Sequence, residues 1–224
     1  MTFRLNRTVC TLLAAVTLAA GVAGCATPVV LGGAAIGGMM VLDRRTAGTQ
    51  IEDESIELRS VNRIHGAHGD KVHINVTSYN RQVLLTGEVP SAEAREAIEK
   101  IVMGVENVRS VVNDLAVMPN TSIGQRSNDT FITGKVRASL VDAKDISASS
   151  FKVVTERNVV YLMGLVTQRE AARATAIARG VTGVSKVVRV FEYLTEEDLA
   201  RMNAAPRKSA PVTQDNAETS TPVR

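Results

Sequence analysis

Aromatic residues and cysteine are scarce in this 224-residue chain, which has four Phe, three Tyr, no Trp and two Cys. Cys10 and Cys25 belong to an N-terminal export segment, so we expect no disulfide bond in the rest of the chain. The glycines do not have the spacing of a phosphate-binding loop. No serine or carboxylate pair stands in a context typical of a nucleophile and its base. The sequence therefore predicts a protein that is not an enzyme.

Residues 1–24 have the layout of a secretory signal peptide. Two arginines precede an apolar run from Val9 to Val22, and the sequence VAGC follows. This order resembles the bacterial lipoprotein signal, in which cleavage before the cysteine leaves its thiol to accept lipid. We therefore predict lipidation of Cys25, and Ala26 behind it resembles the sorting rule for the outer membrane. A plain secretory signal with an incidental cysteine is the alternative.

The segments that flank the central part of the chain have low complexity. Val29–Leu42 is apolar but has only 14 residues, four of them glycine, whereas a membrane-spanning helix needs about 20. We interpret residues 25–49 as the lipidated cysteine and a tether, with insertion of Val29–Leu42 at the membrane surface left open. Residues 195–224 are predicted to hold the end of a helix and then a disordered tail from Asn203 onward.

Charge is distributed unevenly along the chain. The formal net charge is +3, and removal of the predicted signal with its two arginines leaves +1. This small excess and the export signal predict no binding to nucleic acid. Residues 51–118 contain seven Lys and Arg against eleven Asp and Glu, whereas residues 128–194 contain ten against six. Only the second half is thus suited to approach an anionic membrane.

The central part of the chain contains an internal repeat. Val83–Asn113 matches Val160–Arg189, with Gly87 aligned to Gly164. Both glycines interrupt a predicted strand, which indicates close approach of another backbone. We predict a first domain over residues 50–118, a linker over 119–127 and a second domain over 128–194.

Each repeat has the order helix, strand, turn, strand, helix, strand. In the second repeat, Asp129 is a predicted N-cap for a helix over Thr130–Asp142. The elements predicted after it are strands over Phe151–Thr155 and Val159–Val166, a helix over Gln168–Arg179 and a strand over Val184–Tyr193. Gly104 and Gly180 are predicted to follow their helices as C-terminal caps.

The stretch SNDTFITGKVR predicts a helix with two distinct faces. Ile132, Val136 and Leu140 recur at a spacing of four residues and form the face that packs on a core. Phe131 lies on a different face, which we predict to be an outward apolar patch edged by cations. The predicted surface comprises Thr130, Phe131, Gly134, Lys135, Arg137, Ala138 and Val141.

A cluster of histidines offers the one candidate metal site. His65, His68 and His73 lie in HGAHGDKVH with Asp70 among them, and imidazoles at this spacing can hold Zn²⁺. However, glycines make this segment a flexible loop, and the sequence has no second cluster to complete a structural site. We therefore predict no metal, and no cofactor apart from the covalent lipid on Cys25.

A strand with Gly-x-Val, an alanine-rich helix and Gly-Val-x-x-Val follow one another in both repeats and resemble the BON domain. Two such units behind a lipoprotein signal resemble the dual BON-domain outer-membrane lipoproteins. The resemblance implies an α+β fold of two tandem domains, each a three-stranded mixed sheet packed against two helices, with no catalytic activity. Members carry a Trp where this chain has Phe131.

The resemblance also implies a function at the periplasmic face of the outer membrane. It implies binding of anionic phospholipids, phosphatidylglycerol and cardiolipin, through the first helix of the second domain. It further implies accumulation at the division septum and support of outer-membrane integrity. The alternative is a protein-interaction scaffold, in which the Phe131 face docks on the outer-membrane assembly machinery or on the first domain.

Overall fold

The computed structural model describes residues 43–69 and 72–204. The first repeat comprises α1 (Ala47–His68), β1 (His73–Tyr79), β2 (Gln82–Val89), α2 (Ala92–Met103), β3 (Ser110–Asn113) and β4 (Ala116–Val117). The second comprises α3 (Ile123–Asp142), β5 (Phe151–Glu156), β6 (Val159–Thr167), α4 (Gln168–Gly180) and β7 (Lys186–Leu194), and α5 (Glu196–Ala204) follows it. The predicted signal, Cys25, most of the tether and the tail beyond residue 204 lie outside the described residues.

Both repeats form mixed sheets, which confirms the predicted α+β fold. In each, a hairpin of two antiparallel strands is joined by a third strand that runs parallel to the second strand of the hairpin. The first sheet has four strands rather than the predicted three. The reason is a break at Asp114 and Leu115, which divides the last strand into β3 and β4, both paired with β2.

The two helices of each repeat pack on one face of its sheet. In the second repeat, Ile132, Val136 and Leu140 of α3 are at most 1% exposed, which confirms the predicted core face. Small side chains of α4 let that helix approach the same core; they are Ala171, Ala174 and Ala178. Burial of one large aliphatic side chain stabilises a fold by about 1.5–3 kcal/mol, so these rows fix both helices on the sheet.

The other faces of the two sheets pack against each other. Tyr79 and Leu84 of the first sheet form one buried cluster with Tyr161, Met163 and Val190 of the second. The result is four layers, helices outside and two sheets between them. The central strands are consequently buried on both faces, as their nearly continuous burial patterns show.

Polar contacts surround the apolar contact between the sheets. Arg157 donates to Glu88 at 2.8 Å, and Lys152 pairs with Glu57 at 2.7 Å. The Tyr161 hydroxyl donates to Asp114 at 2.7 Å, and burial raises the pKa of this tyrosine. These contacts fix the orientation of the two domains.

The segment before α1 contacts both domains. The Arg44 guanidinium donates to both carboxylate oxygens of Glu170 at 2.7 and 2.8 Å and to the Leu165 carbonyl at 2.8 Å. Burial acts to raise the pKa of Glu170, but the bonds from Arg44 hold it below its ordinary value. The next residue, Arg45, pairs with Asp53 at 2.7 Å and lies 4.1 Å from the centroid of the Tyr79 ring. These two arginines thus connect the end of the tether to both sheets.

The prediction that Asp129 is an N-cap is wrong. α3 begins at Ile123, inside the predicted linker, because the Ser122 hydroxyl accepts the Gln125 amide and caps the helix. Asp129 lies within the helix and is 3% exposed. Its carboxylate accepts the amides of Arg157 and Asn158 at 2.9 and 2.8 Å, in the turn between β5 and β6.

Asp53 makes the equivalent contacts in the first repeat. Its carboxylate accepts the amides of Asn80 and Arg81 at 2.8 and 2.7 Å, and both these turn residues have positive φ angles. Burial acts to raise the pKa of Asp53, but these hydrogen bonds and those from Ser78 and Arg45 lower it below its ordinary value. In each repeat, a buried carboxylate therefore ties the first helix to the hairpin.

Other predicted boundaries also shift. α1 begins at Ala47, inside the predicted tether, since the Thr46 side chain accepts the Thr49 amide. α5 extends to Ala204 and so includes the first two residues of the predicted tail. Gly180 is the last residue of α4 rather than a cap beyond it. Among the described residues, no helix is long and apolar enough to cross a membrane.

The strand glycines lie where two backbones meet. A Cβ atom at Gly87 would be 2.0 Å from the His73 carbonyl oxygen, and a Cβ atom at Gly164 would be 2.4 Å from the Ser150 carbonyl oxygen. Gly87 also has a φ of +117°, which side chains rarely adopt. Both positions therefore exclude side chains.

We expect Gly164→Glu to unfold the second domain, because backbone atoms cannot give way to the new side chain. The expected loss exceeds about 3 kcal/mol, measured by chemical denaturation. Gly134→Glu is the matched control, since a Cβ atom at Gly134 meets nothing within 4 Å. A native unfolding transition in Gly164→Glu would contradict this account of the strand.

Asp129→Ala should destabilise the protein by about 2–4 kcal/mol, because two amides of a tight turn lose their acceptor. Asp142→Ala, at the exposed end of the same helix, should change the free energy of unfolding by less than about 0.5 kcal/mol. Urea denaturation of both variants tests this difference. Equal stabilities would contradict the role assigned to Asp129.

Candidate functional site

Contacts on the inner side of α3 determine which residues it presents outward. The inner side of α3 carries its three buried aliphatic residues and Thr133, whose hydroxyl donates to the Thr155 hydroxyl of β5 at 2.7 Å. On the other flank of the helix, Lys135 donates to the Thr182 carbonyl in the loop after α4. With one side held by these contacts, the remaining side of the helix faces solvent.

Three large apolar side chains lie along this outer side. Ile123 is 81% exposed, Phe131 is 66% exposed and Val141 is 70% exposed. At 1.5 Å per residue, the row from Ile123 to Val141 is about 27 Å long. Gly134 and Ala138, both exposed, lie between them and keep the surface low around the Phe131 ring. The structure therefore brings together the apolar residues predicted for this face and adds Ile123.

Phe131 does not pack on the first domain, which removes one form of the scaffold alternative. Most of its surface contacts solvent, and its close neighbour is Lys135, whose Nζ lies 4.8 Å from the ring centroid. A cation at this distance is attracted by the face of the ring. The ring and the ammonium group therefore form one amphipathic unit at the surface.

Cations border the row on both sides. Arg137 is exposed and donates to the Val153 carbonyl at 3.4 Å. Lys144 and Arg179 are exposed, and neither has an ion-pair partner among the described residues. Thr130 is exposed too, but its hydroxyl donates back to the Arg126 carbonyl at 3.0 Å. We designate the outer side of α3, the row with its bordering cations, the α3 surface.

A shallow groove of roughly 600 Å³ runs beside the α3 surface, between α3 and α4. Its sides carry Lys135 and Arg173, and small residues such as Ala138 and Gly180 line it. Arg173 pairs with Asp145 at 2.8 Å. The groove is thus bordered by basic groups but has an apolar lining.

Part of the basic excess of the second domain does not belong to this surface. Lys152 and Arg157 pair with carboxylates of the first domain. The comparison of charges by sequence range therefore overstates the positive charge available outside. The cations that remain on the outer layer are still more numerous than the acidic residues of α3 that face the same way, of which there is one, Asp142.

α1 presents a comparable apolar row on the opposite outer layer. Ile51 is 68% exposed, Leu58 is 63% exposed and Val61 is 44% exposed. This row lies in the acidic domain, where Glu54 is exposed between Ile51 and Leu58. The two outer layers thus differ in charge rather than in apolar content.

The structure does not bring together the three histidines that a zinc site in HGAHGDKVH would need. His65 and His68 lie in the last turns of α1, whereas His73 begins β1 and its Nδ1 lies 3.0 Å from Glu88. Asp70 lies outside the described residues. His73 therefore belongs to a different set of neighbours from the other two.

Sequence reasoning missed Ile123 because it placed the helix start at Asp129. The signal was present, since Ser122 is followed three residues later by Gln125, the spacing of a capping box. It also assigned no contacts to Arg44 and Arg45, although VLDRRTAGTQ is part of the family resemblance, because partners such as Glu170 are distant in the chain.

Comparison with known proteins gives consistent matches over the described domains. The BON domain family model matches residues 53–119 and 128–195. The chain is 38% identical over 173 residues to the outer membrane lipoprotein DolP of Haemophilus influenzae, which covers 76% of this chain and 89% of that protein.

Two further relatives differ in how much of the chain they match. The 21 kDa hemolysin of Actinobacillus pleuropneumoniae is 35% identical over 155 residues, which are 68% of this chain and 80% of that protein. The osmotically-inducible protein Y of Escherichia coli is 36% identical over 118 residues, which are 51% of this chain and 58% of that protein.

Replacement of neighbouring residues in α3 should separate its two faces. Ile132→Ala should cost about 2–5 kcal/mol of folding free energy, because it leaves a cavity in the core. Phe131→Ala should cost less than about 0.5 kcal/mol, because its ring is mostly in solvent. Chemical denaturation measures both, and a large loss for Phe131→Ala would show that the ring packs within the protein.

Proposed function

The chain belongs to the family of BON-domain outer-membrane lipoproteins, and we propose that it binds anionic phospholipids through the α3 surface. The observation that carries this proposal is the exposed Phe131 ring with Lys135 above it. An aromatic ring can enter the interface of a bilayer, while a cation beside it meets the phosphate groups.

The length and shape of the α3 surface suit a bilayer. A row about 27 Å long on a straight helix can lie flat in the membrane plane. Ile123 and Val141 then reach the acyl region at the two ends of the row, with Phe131 between them. The low surface at Gly134 and Ala138 lets the helix backbone approach the headgroups closely.

Magnitudes predict weak and reversible docking. Each basic side chain near an anionic surface contributes about 1 kcal/mol, and burial of an aromatic ring contributes about 2 kcal/mol. Three or four cations and one ring therefore give a contact of millimolar to micromolar strength. A lipid on Cys25 makes this sufficient, because a tether raises the effective concentration of the second contact.

The positive charge of the α3 surface supports a preference for anionic lipids. The α1 row has similar apolar exposure but lies in the acidic domain, which anionic headgroups repel. Phosphatidylglycerol and cardiolipin are the proposed ligands, since both carry phosphodiester charge without a compensating amine. Phe lacks the indole N–H of Trp, so the contact is proposed to be weaker than in members with Trp at this position.

We propose a non-enzymatic role at the periplasmic face of the outer membrane. Lipidation of Cys25 and accumulation at the division septum, where the protein supports envelope integrity, are parts of this proposal that the family resemblance suggests. Binding to the outer-membrane assembly machinery is the second candidate function. The exposed α1 row favours it, because an apolar surface that anionic lipid repels remains free for a protein.

Co-sedimentation with vesicles tests lipid binding directly. The chain from Ala26 onward, which contains all the residues that the structure describes, is mixed with neutral or phosphatidylglycerol-containing vesicles. Wild type should sediment with the anionic vesicles but not with the neutral ones. Salt at 0.5 M should weaken this binding because it screens the charges. Phe131→Glu should reduce it at least tenfold.

Leu58→Glu is the matched control, since Leu58 and Phe131 are similarly exposed on opposite layers. This variant should bind anionic vesicles as wild type does. If Phe131→Glu binds anionic vesicles like wild type, the α3 surface is not the lipid site. If wild type binds neither kind of vesicle, the second candidate function takes the place of lipid binding.

A further inference from the structure

Two buried carboxylates and a histidine meet where the two domains join. His73 comes from β1, Glu88 from β2 and Glu156 from the end of β5. One potential ligand atom from each lies within 4.8 Å of the others. Glu88 and Glu156 are 0% and 2% exposed. The cluster therefore joins both domains around two buried carboxylates and a partly exposed imidazole.

Glu88 is well compensated. One of its oxygens accepts Arg157 at 2.8 Å. The other accepts the amide and the hydroxyl of Thr121, both at 3.1 Å, and lies 3.0 Å from His73 Nδ1. Burial acts to raise the pKa of Glu88, but these bonds lower it below its ordinary value. Glu88 is consequently an ionised and rigidly held carboxylate.

Glu156 lacks such compensation. Its Oε2 accepts the neutral amide of Asn75 at 2.7 Å, and no described residue forms an ion pair with it or donates to its Oε1. Burial and the nearby charge of Glu88 raise its pKa above the ordinary value. A carboxylate buried beside another one either takes up a proton or gains a cation that offsets its charge. The cluster therefore has room for one more cation.

We propose that His73, Glu88 and Glu156 bind a divalent cation of the Zn²⁺ class and thereby join the two domains. An imidazole nitrogen and two carboxylate oxygens are a ligand set that Zn²⁺ accepts. Ligand atoms around tetrahedral Zn²⁺ lie roughly 3.4 Å apart. The partly exposed His73 and the free oxygen of Glu156 need only small movements to reach this spacing.

The surroundings provide access for the ion. A crevice of about 400 Å³ lies against the cluster, lined by His73, Asn75, Thr155 and Glu156 among others. The His73 side chain is 19% exposed, so the site communicates with solvent at this residue. A fourth ligand position can be filled by water from the crevice. The three proposed ligands belong to β1, β2 and β5, so none of them lies on α1 or α3.

Titration of Zn²⁺ into the metal-free chain from Ala26 onward tests the proposal. Isothermal titration calorimetry should give one Zn²⁺ per chain, and Zn²⁺ should raise the thermal unfolding midpoint because it binds the folded state. Glu156→Gln and His73→Gln should each weaken binding at least tenfold and remove most of the thermal shift. His68→Gln, the control on α1, should behave like wild type.

Without metal, Glu156→Gln should unfold at the same temperature as wild type or higher, because it removes the uncompensated charge and keeps the side-chain size. This result shows that weaker binding does not come from misfolding, and His73→Gln provides a second variant if the fold is lost. The proposal fails if wild type binds no Zn²⁺ or if both ligand variants bind like wild type. It fails too if His68→Gln loses binding equally, since the ion would then lie on α1.

Discussion

The apolar contact between the two sheets determines which surfaces of this protein remain free. Tyr79 and Leu84 of one sheet and Tyr161, Met163 and Val190 of the other exclude water between the domains. Each sheet is thereby covered on both faces, by its own helices and by the other sheet. The helices become the outer layers, and large apolar side chains such as Phe131 and Leu58 are left exposed on them. The exposure of Phe131 follows from this arrangement.

The internal repeat separates what holds the fold from what varies on its surface. Alignment of Asp53 with Asp129 places buried Ile56 opposite buried Ile132, and both carboxylates bind the amides of their own hairpin turn. The same alignment places Ser55 of α1 opposite Phe131 of α3. The two copies therefore share their inward residues, whereas their outward residues give one acidic and one basic layer.

Sequence reasoning predicted the order of elements and the orientation of α3 because short-range pattern determines both, and the resemblance to the BON domain implied the α+β fold. It misplaced the start of that helix, since an Asp before an apolar run has the same local appearance whether it caps a helix or binds a distant turn. The sequence also contained a signal for the face-to-face packing of the sheets, which was not used. Strands such as Val159–Thr167 lack polar alternation, and this lack is typical of strands buried on both faces. The cluster of His73, Glu88 and Glu156 had no such signal, since its members meet only through tertiary structure.

The most direct test of the central claim uses the absence of Trp from the chain. Phe131→Trp and Leu58→Trp each introduce a single fluorophore, one on each outer layer. On addition of phosphatidylglycerol vesicles with brominated acyl chains, the account predicts a blue shift and quenching for Trp at position 131 and neither for Trp at position 58. Equal responses at the two positions, or no response at position 131, would contradict membrane contact through α3.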